Sequence, residues 1–248
     1  MGLANEIIES KNRPRADVFW NNEILHTLRL KKLGLLEVYQ SELADQYPAD
    51  FVSKEKDWYG FAARARVLIV NTDSISNDRD LPSSVDDLLN PKWKDKCAIA
   101  RPLFGTTATH AAVLFAQMGE EEAKKYLTKL SENAQIESGN KQVATKVAAG
   151  QYAFGLTDTD DAIIELSRGA PVAIVFPDQP ELGGETLGTL FIPNTLCVIK
   201  GDPNPENAKR LVDYLLQASV EESLAKGCLL YTSPSPRDAT LSRMPSSA

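Results

Sequence analysis

The segment Gln151–Leu166, QYAFGLTDTDDAIIEL, constrains the fold most, because it changes from a strand pattern to a helix pattern within a few residues. It opens with a short apolar run that is typical of a buried strand and closes with apolar residues at helical spacing. In an open α/β sheet, such a junction lies at the carboxyl end of a strand, where ligands bind. The segment therefore predicts an α/β fold with a ligand site here. The polar residues of the junction are Thr157, Asp158, Thr159, Asp160 and Asp161.

The acidic residues of this junction have two explanations, and the sequence leaves both open. An Asp or Thr at the N-cap accepts an amide hydrogen bond, and acids favour the first turn of a helix, so the cluster can serve capping alone. One cap needs only one such side chain, so three acids exceed this structural need. The second explanation is a ligand site that faces a cation, with Asp158 and Asp160 as metal ligands. An EF-hand calcium loop is disfavoured, because the glycine required at its sixth position is Ile163 here.

A second junction follows a strand-like run that ends at Trp20. Asn21 or Asn22 can cap the helix that begins after it. The indole of Trp20 can pack in the core or contact a ligand. We include Trp20, Asn21, Asn22 and Glu23 among the candidate ligand-binding residues.

A third junction consists of Gly105, Thr106 and Thr107, which open an alanine-rich helix that ends at Gly119. Backbone amides and hydroxyls at the positive end of a helix form a general anion site. The spacing is not that of a Walker loop, because no lysine follows. Simple capping by one of the threonines is the alternative.

The charge and hydropathy of the 248-residue chain narrow its functional class. A formal net charge of −7 argues against nucleic acid, which needs a basic face, and against anionic membrane surfaces. The sequence contains no apolar run of about eighteen residues, the minimum for a bilayer-spanning helix. We therefore expect no nucleic-acid partner and no insertion into a membrane.

The sequence also lacks the motifs of common enzymes. It has no G-x-S-x-G, H-E-x-x-H or C-x-x-C motif and no glycine-rich nucleotide fingerprint. His26 and His110 both fall on predicted helices, where packing explains them better than catalysis does. We predict that the chain is not an enzyme and holds no cofactor. A carboxylate-dependent hydrolase that uses Asp158 and Asp160 is the alternative.

Two long strand-like runs indicate how the chain is divided. Ala62–Val70 changes from alternating small and basic residues to a fully apolar half, and Leu190–Ile199 is interrupted by Pro193. Both runs suit strands that cross between two lobes. We expect lobe 1 over 1–65, lobe 2 over 66–189, a return to lobe 1 over 190–227 and a tail over 228–248.

The tail differs in composition from the rest of the chain. Tyr231–Ala248 holds five Ser and three Pro and has no apolar period, so it cannot bury enough surface to fold. It resembles translated adapter sequence from nucleotide libraries, and a disordered native tail is the alternative. We expect the residues after Gly227 to be disordered and dispensable.

The order of motifs over Leu3–Lys226 resembles the bacterial extracellular solute-binding proteins of ABC importers, in the ferric-iron-binding group. The segments that carry the resemblance are specific together and weak alone. They are ADVFWNNE, WYGFAARARVLIVNTD, LLNPKWKDK, FGTTATHAAVLF, YAFGLTDTDDA, IPNTLCVIKG and PENAKRLVDYLL.

The resemblance implies a two-lobed, type II-like periplasmic binding protein fold that closes on a small solute and delivers it to permease subunits in the membrane. It implies a periplasmic or extracellular location and a monomer. It also implies a fragment, because family members begin with a signal peptide and a first strand ahead of the segment that matches Leu3. On these grounds we expect ferric iron or an iron–anion complex as cargo.

The residues themselves leave the cargo open. Iron-binding members commonly present adjacent tyrosines near the position of Asp158–Asp161, and this sequence has none there. Carboxylates are hard oxygen ligands for a metal ion, and they equally hold an ammonium group. Together with an anion site at Thr106 and Thr107, they also fit a zwitterion such as an aminoalkylphosphonate.

Overall fold

The structure of the protein is a computed structural model, and it describes residues 2–179 and 188–228. Helices and strands alternate along these ranges, which confirms the predicted α/β class. None of the described helices combines the length and the hydrophobicity that a bilayer-spanning segment needs.

The chain divides into two units. Unit 1 comprises Met1–Ala63 and Pro193–Ala248, and unit 2 comprises Arg64–Ile192. Both boundaries fall inside strands, the first within β3 (Tyr59–Asn71) and the second within β8 (Phe191–Ile199). The domain ranges that we expect from the sequence stay predictions.

Unit 1 is built around β8, which pairs antiparallel with two other strands through the register pairs Val18–Val198 and Leu36–Ile199. Two short 3₁₀ helices, Glu42–Gln46 and Ala49–Phe51, precede β3. The further described elements of this unit are α1 (Leu3–Glu9), β1 (Val18–Asn21), α2 (Leu25–Lys32), β2 (Leu36–Glu37), α7 (Pro205–Leu215) and α8 (Ala218–Cys228).

The core of unit 1 forms where α7 packs on the strands. Phe61 and Leu196 are fully buried against Val212 and Leu216. The apolar period of α7 predicts one buried face, and the structure buries most of that face. Leu211 is the exception, because 46% of its surface stays exposed.

Unit 2 holds a sheet between helices. Its described helices and strands, besides the unit 2 part of β3, are β4 (Cys97–Ala100), α3 (Gly105–Met118), α4 (Glu120–Asn133), β5 (Gln135–Glu137), α5 (Asn140–Ala148), β6 (Phe154–Asp158), α6 (Thr159–Ser167) and β7 (Val172–Val175). Short 3₁₀ helices cover Asp78–Asp80, Val85–Leu89 and Pro91–Trp93.

Strand β6 lies between an antiparallel and a parallel neighbour. Leu156 is opposite Leu68 of β3 on one side and Ile99 of β4 on the other, and β4 pairs parallel with β5. The carboxyl ends of β4, β5 and β6 therefore meet at one edge of the sheet. Because α3, α5 and α6 begin just beyond these three ends, that edge collects three helix N-termini.

The apolar half of β3 is covered on both faces, as its unbroken apolar run predicts. Leu68 and Val70 pack into one cluster, and Val67 and Ile69 pack into the other. Gly155 of β6 lets α5 approach closely, because a Cβ atom there would lie 2.5 Å from a methyl carbon of Val143.

The predicted tail begins one residue too early. Cys228 is the last residue of α8, so the helix extends into the segment that we expected to be disordered. The rest of that segment, 229–248, lies outside the described residues.

Ala62 adopts a left-handed conformation next to the unit boundary in β3, with φ of 43°. Its N–H donates to Glu221 Oε1 at 2.8 Å, and its carbonyl accepts from Asn194 Nδ2 at 2.5 Å. Both partners belong to unit 1. A left-handed non-glycine residue costs about 1–2 kcal/mol, and these hydrogen bonds hold it in place.

We expect Ala62→Gly to be more stable than Ala63→Gly by about 1 kcal/mol, since both lose a buried methyl group but only the first relieves the left-handed strain. Urea denaturation of the two variants and the parent measures this difference. Equal stability of the two variants would contradict strain at Ala62.

Candidate functional site

The carboxylate of Asp158 lies at the centre of the polar groups at the sheet edge of unit 2. It is the last residue of β6 and is buried. Its Oδ1 accepts from Arg66 Nη1 at 2.6 Å. Its Oδ2 accepts from the Thr106 hydroxyl at 2.6 Å and from the Asn140 amide at 2.8 Å. The negative charge of Asp158 is therefore balanced and hydrogen-bonded within the protein.

Arg66 places its guanidinium beside this carboxylate because β3 pairs with β6. The two residues lie directly opposite each other in the antiparallel register, so their side chains share one face of the sheet. Arg66 is fully buried, and its Nη1 also donates to Asn140 Oδ1 at 3.1 Å. Its Nε and Nη2 have no acceptor among the described residues.

Asn140, the first residue of α5, connects this ion pair to the start of α3. Its amide donates to the hydroxyl oxygen of Thr106 at 2.9 Å, and its Oδ1 accepts from the Thr107 hydroxyl at 3.1 Å. Both threonines are buried. Their hydroxyls are thus engaged inside the protein, whereas the helix start itself, at Gly105, is partly exposed.

Asp160 and Asp161 form the outer part of the acidic cluster. Asp160 Oδ2 accepts from Arg64 Nε at 3.0 Å, and its buried Oδ1 has no hydrogen-bond donor among the described residues. Burial raises the pKa of Asp160 above its usual value, although Arg64 opposes the shift. Carboxylate oxygens of Asp158, Asp160 and Asp161 all lie within 4.8 Å of one another.

The pKa of Asp161 is raised to about 7, first because burial removes water and then because Asp160 and Asp158 add negative charge nearby. At neutral pH this carboxyl therefore divides between its charged and neutral forms. It can accept a hydrogen bond from a ligand or, when protonated, donate one.

Thr159 of the predicted site has a structural contact. It is fully buried, and its hydroxyl oxygen accepts from the Ala65 N–H at 3.2 Å, which ties α6 to β3. Whether the predicted residues of unit 2 bind a ligand stays a prediction.

The four candidate residues of unit 1 lie at the end of β1. Glu23 is buried, and its carboxylate accepts from the backbone N–H groups of Leu25 and His26 at 2.7 and 3.4 Å. The N-cap residue of α2 is Ile24, so the expectation that Asn21 or Asn22 caps this helix is wrong, and the carboxylate of Glu23 accepts from its first-turn N–H groups. The Asn21 amide instead donates to Glu23 Oε1 at 3.0 Å.

Trp20 and Asn22 are the exposed members of this group. Trp20 keeps 43% of its surface exposed, although its ring centroid lies 5.2 Å from that of Phe61. The indole thus packs on one side and is accessible on the other. Ligand contact by these residues of unit 1 stays a prediction.

The sequence analysis missed Arg64, Arg66 and Asn140 as site residues. The signal was present in β3, where two arginines alternate with alanines in a strand whose other half is fully apolar. An arginine in such a strand must find a buried acid, and the acids of the β6–α6 junction are the natural partners.

The arrangement is suited to binding through oxygen atoms. Two arginines stand beside three carboxyl groups, so the group is close to neutral when Asp161 is protonated. The unsatisfied Oδ1 of Asp160 and the titrating carboxyl of Asp161 remain to receive donors. The first-turn N–H groups of α3 face no intrahelical acceptor and favour an anion.

Comparison with known proteins gives consistent matches. The sequence model of a family described as bacterial extracellular solute-binding protein matches residues 17–248. A protein of Haemophilus influenzae, named only as uncharacterized, is 30% identical over 86% of this chain and 61% of its own length. Iron uptake protein A1 of Synechocystis sp. is 26% identical over 91% of this chain and 65% of its own length. The chain thus spans less than two thirds of these curated relatives.

Two solved structures are similar over most of the chain. Iron-bound HitA from Pseudomonas aeruginosa has a TM-score of 0.82 at 25% identity and covers 93% of this chain and 74% of its own. AfuA from Actinobacillus pleuropneumoniae, a periplasmic binding protein with exogenous fructose-6-phosphate bound, has a TM-score of 0.73 at 27% identity. It covers 93% of this chain and 72% of its own.

Removal of the Asp158 charge should be costly, because it leaves the buried Arg66 guanidinium without its counterion. We expect Asp158→Asn to lower the free energy of unfolding by about 3–5 kcal/mol, and Arg66→Met to do the same. The double variant should lose at least 1 kcal/mol less than the two single losses together. Urea denaturation at pH 7 tests this, and a loss below about 1 kcal/mol for Asp158→Asn would show that the pair is not structural.

The raised pKa of Asp161 makes stability depend on pH. Between pH 4 and 7 the folded state keeps a proton that the unfolded carboxyl, with its usual pKa of 3.8, releases. Stability therefore falls as the pH rises through this range and levels off above about pH 7. Asp161→Asn removes the effect, so this variant should exceed the parent by about 1–2 kcal/mol at pH 8, because solvent screening at a partly exposed side chain reduces the full effect.

At pH 4 the same variant and the parent should be equally stable. Asp45→Asn, which changes an exposed aspartate, is the matched control and should alter stability at neither pH. A pH-independent gain for Asp161→Asn would mean that the pKa of this carboxyl is not raised in the folded state.

Proposed function

Since the chain belongs to the family of bacterial extracellular solute-binding proteins, we propose that it captures a small solute and delivers it to the permease subunits of an ABC importer. The family match covers nearly the whole chain and confirms the resemblance found in the sequence. It also confirms that the chain is not an enzyme and that its location is periplasmic or extracellular. The likeness to HitA confirms the two-lobed periplasmic binding protein fold.

The cargo that the geometry supports best is a small organic solute with hydroxyl or ammonium donors and one anionic group. This proposal rests on one observation, namely which carboxyl groups of the acidic cluster already have hydrogen-bond partners within the protein. Asp158 is paired with Arg66 and each of its oxygens already accepts a hydrogen bond, so Asp160 and Asp161 have more capacity for a ligand. Hydroxyl or ammonium groups donate to such carboxyl oxygens without needing a high local negative charge.

The anionic group of this cargo would lie at the start of α3. Gly105 has φ of 66°, and a Cβ atom there would meet nothing within 4 Å, so the backbone is open to a ligand. The N–H groups of the first helical turn favour a phosphate or phosphonate. AfuA, with exogenous fructose-6-phosphate bound, is 27% identical to this chain, which supports an organic phosphate.

Ferric iron or an iron–anion complex is the second candidate. Three carboxyl groups with oxygens within 4.8 Å of one another are hard ligands of the kind that such an ion requires. Relatives named for iron uptake favour it as well. Arg64 and Arg66 argue against iron. Their guanidinium groups are paired with Asp160 and Asp158, and these two positive charges repel a trivalent cation.

The other parts of the proposal follow from family and charge. We propose that the protein acts as a monomer, with its cargo and the permease subunits as partners. A net charge of −7 argues against a nucleic-acid partner, which needs a basic face.

Isothermal titration calorimetry of the chain with three probes tests the cargo. The probes are 2-aminoethylphosphonate, fructose 6-phosphate and ferric citrate. We expect saturable binding of at least one organic probe. Asp160→Asn should weaken it by about 1.5–3 kcal/mol, the scale of a charged hydrogen bond.

Asp45→Asn is the control and should leave binding unchanged, because this aspartate is exposed and lies in unit 1. Binding of ferric citrate alone, with the same loss in Asp160→Asn, would replace the organic cargo by iron. Binding of none of the probes, or equal affinity of the Asp160→Asn variant and the parent, would contradict the proposed site.

A further inference from the structure

Lys141 carries a positive charge at the end of α5 where the helix itself disfavours one. It is the second residue of this helix, and the helix dipole places partial positive charge at that end. Its side chain is exposed, and it has no ion-pair partner in the part of the chain that the structure describes. Helix stability therefore gives no reason for a lysine at this position.

The neighbour of Lys141 joins the start of α5 to the start of α3. The amide of Asn140 donates to the hydroxyl oxygen of Thr106 at 2.9 Å, and its Oδ1 accepts from Thr107 at 3.1 Å. The first turns of the two helices therefore lie side by side, each with N–H groups that lack an intrahelical acceptor. A lysine on the first turn of α5 has a flexible four-carbon stem with which it can extend to an anion at the start of α3.

The ammonium group of Lys141 also lies near the acidic cluster without being held there. Burial and then the charges of Asp160 and Asp158 raise the pKa of Asp161 to about 7, and the positive charge of Lys141 opposes this rise only weakly. Lys141 is thus close enough to act on the candidate site, but it does not serve as the counterion of Asp161.

The charge balance of the site favours an anion once Lys141 is counted. The two arginines neutralise Asp158 and Asp160, and Asp161 is partly protonated near pH 7, so the lysine leaves positive charge in excess. The buried Arg66 guanidinium adds to this potential at the starts of α3 and α5, where its Nε and Nη2 have no acceptor among the described residues. Positive charge from three side chains and two helix ends therefore meets in one place.

We propose that Lys141 pairs with the anionic group of the cargo and selects a phosphate or phosphonate at the start of α3. The inference rests on the proposed function and assigns the recognition of the anion to a named side chain. The N–H groups at a helix start supply about half an elementary charge, whereas an ammonium group supplies a full one. The lysine thus favours a doubly charged group over a singly charged one.

Calorimetric titration with fructose 6-phosphate and with inorganic phosphate tests the proposal. Lys141→Met should weaken the binding of both probes about tenfold, the effect of one charged hydrogen bond at an exposed position. Asp160→Asn should weaken the binding of fructose 6-phosphate alone, because inorganic phosphate has no sugar hydroxyl groups to donate to this carboxylate. Lys141→Arg keeps the charge and should retain most of the affinity for both probes.

Lys129→Met is the matched control, because it removes the same charge from an exposed position of α4. This variant should bind both probes like the parent. Urea denaturation at pH 8 separates binding from a structural role. Lys141→Met should be at least as stable as the parent, since a cation in the first turn opposes the helix dipole. A less stable Lys141→Met would show that the lysine serves as a counterion within the protein, contrary to the proposal.

The results also separate this inference from the proposed function. If fructose 6-phosphate binds the parent and Lys141→Met equally well, or if Lys129→Met loses as much affinity as Lys141→Met, the role of Lys141 is overturned and the proposed function stands. If neither fructose 6-phosphate nor 2-aminoethylphosphonate binds the parent, both are overturned.

Discussion

The ion pair between Arg66 and Asp158 is the interaction on which the organisation of unit 2 depends. Its guanidinium and carboxylate groups are buried and lie 2.6 Å apart, so neither charge can be satisfied by water. The hydrogen bonds of Thr106 and Asn140 complete the shell of the carboxylate. Because these four residues come from β3, β6, α3 and α5, the pair fixes the starts of two helices against the end of β6 and the interior of β3.

This pairing also determines what the neighbouring acids can do. Asp158 is compensated, so in the proposed site a ligand would meet chiefly the outer carboxyl groups of Asp160 and Asp161. Burial raises the pKa of both. The charge of Asp158 adds to the rise at Asp160, and the charges of Asp160 and Asp158 add to it at Asp161, so the negative charge of the site at neutral pH is lowered. A cluster of this kind binds hydrogen-bond donors more readily than it concentrates positive metal charge. The cargo proposal therefore follows from electrostatics inside one unit of the protein.

Helix α3 contributes to two separate features of unit 2. Its first turn, at Gly105 and Thr106, belongs to the candidate site, and its second turn places His110 in the wall of an apolar cavity that Ile99 and Leu156 also line. Thr107 contacts both, because it lines the cavity and donates to Asn140.

The sequence by itself determined the elements whose signals are local. The unbroken apolar half of β3 predicted a strand covered on both faces. Ser84 and Asp87, a serine followed three residues later by an acid, have the spacing of a capping box, and they form one at the start of the 3₁₀ helix Val85–Leu89. The strand-to-helix junctions at Asp158 and Gly105 were also predicted. Such features depend on residues within a few positions of one another, so side-chain pattern and helix-end chemistry suffice.

The tertiary structure decided which side chains pair with each other and which carboxyl groups have a shifted pKa. Arg66 and Asp158 are separated by 92 residues, and only the register of β3 against β6 brings them together. Helix α2 has Ile24 at its N-cap, and the buried Glu23 accepts from the Leu25 N–H, whereas the sequence favoured the neighbouring asparagines. The raised pKa of Asp161 requires desolvation, a property of packing and not of composition. The pattern of residues along the chain predicts the helices and strands. Contacts between residues far apart in the sequence, and the exclusion of water from them, determine the chemistry of the candidate site.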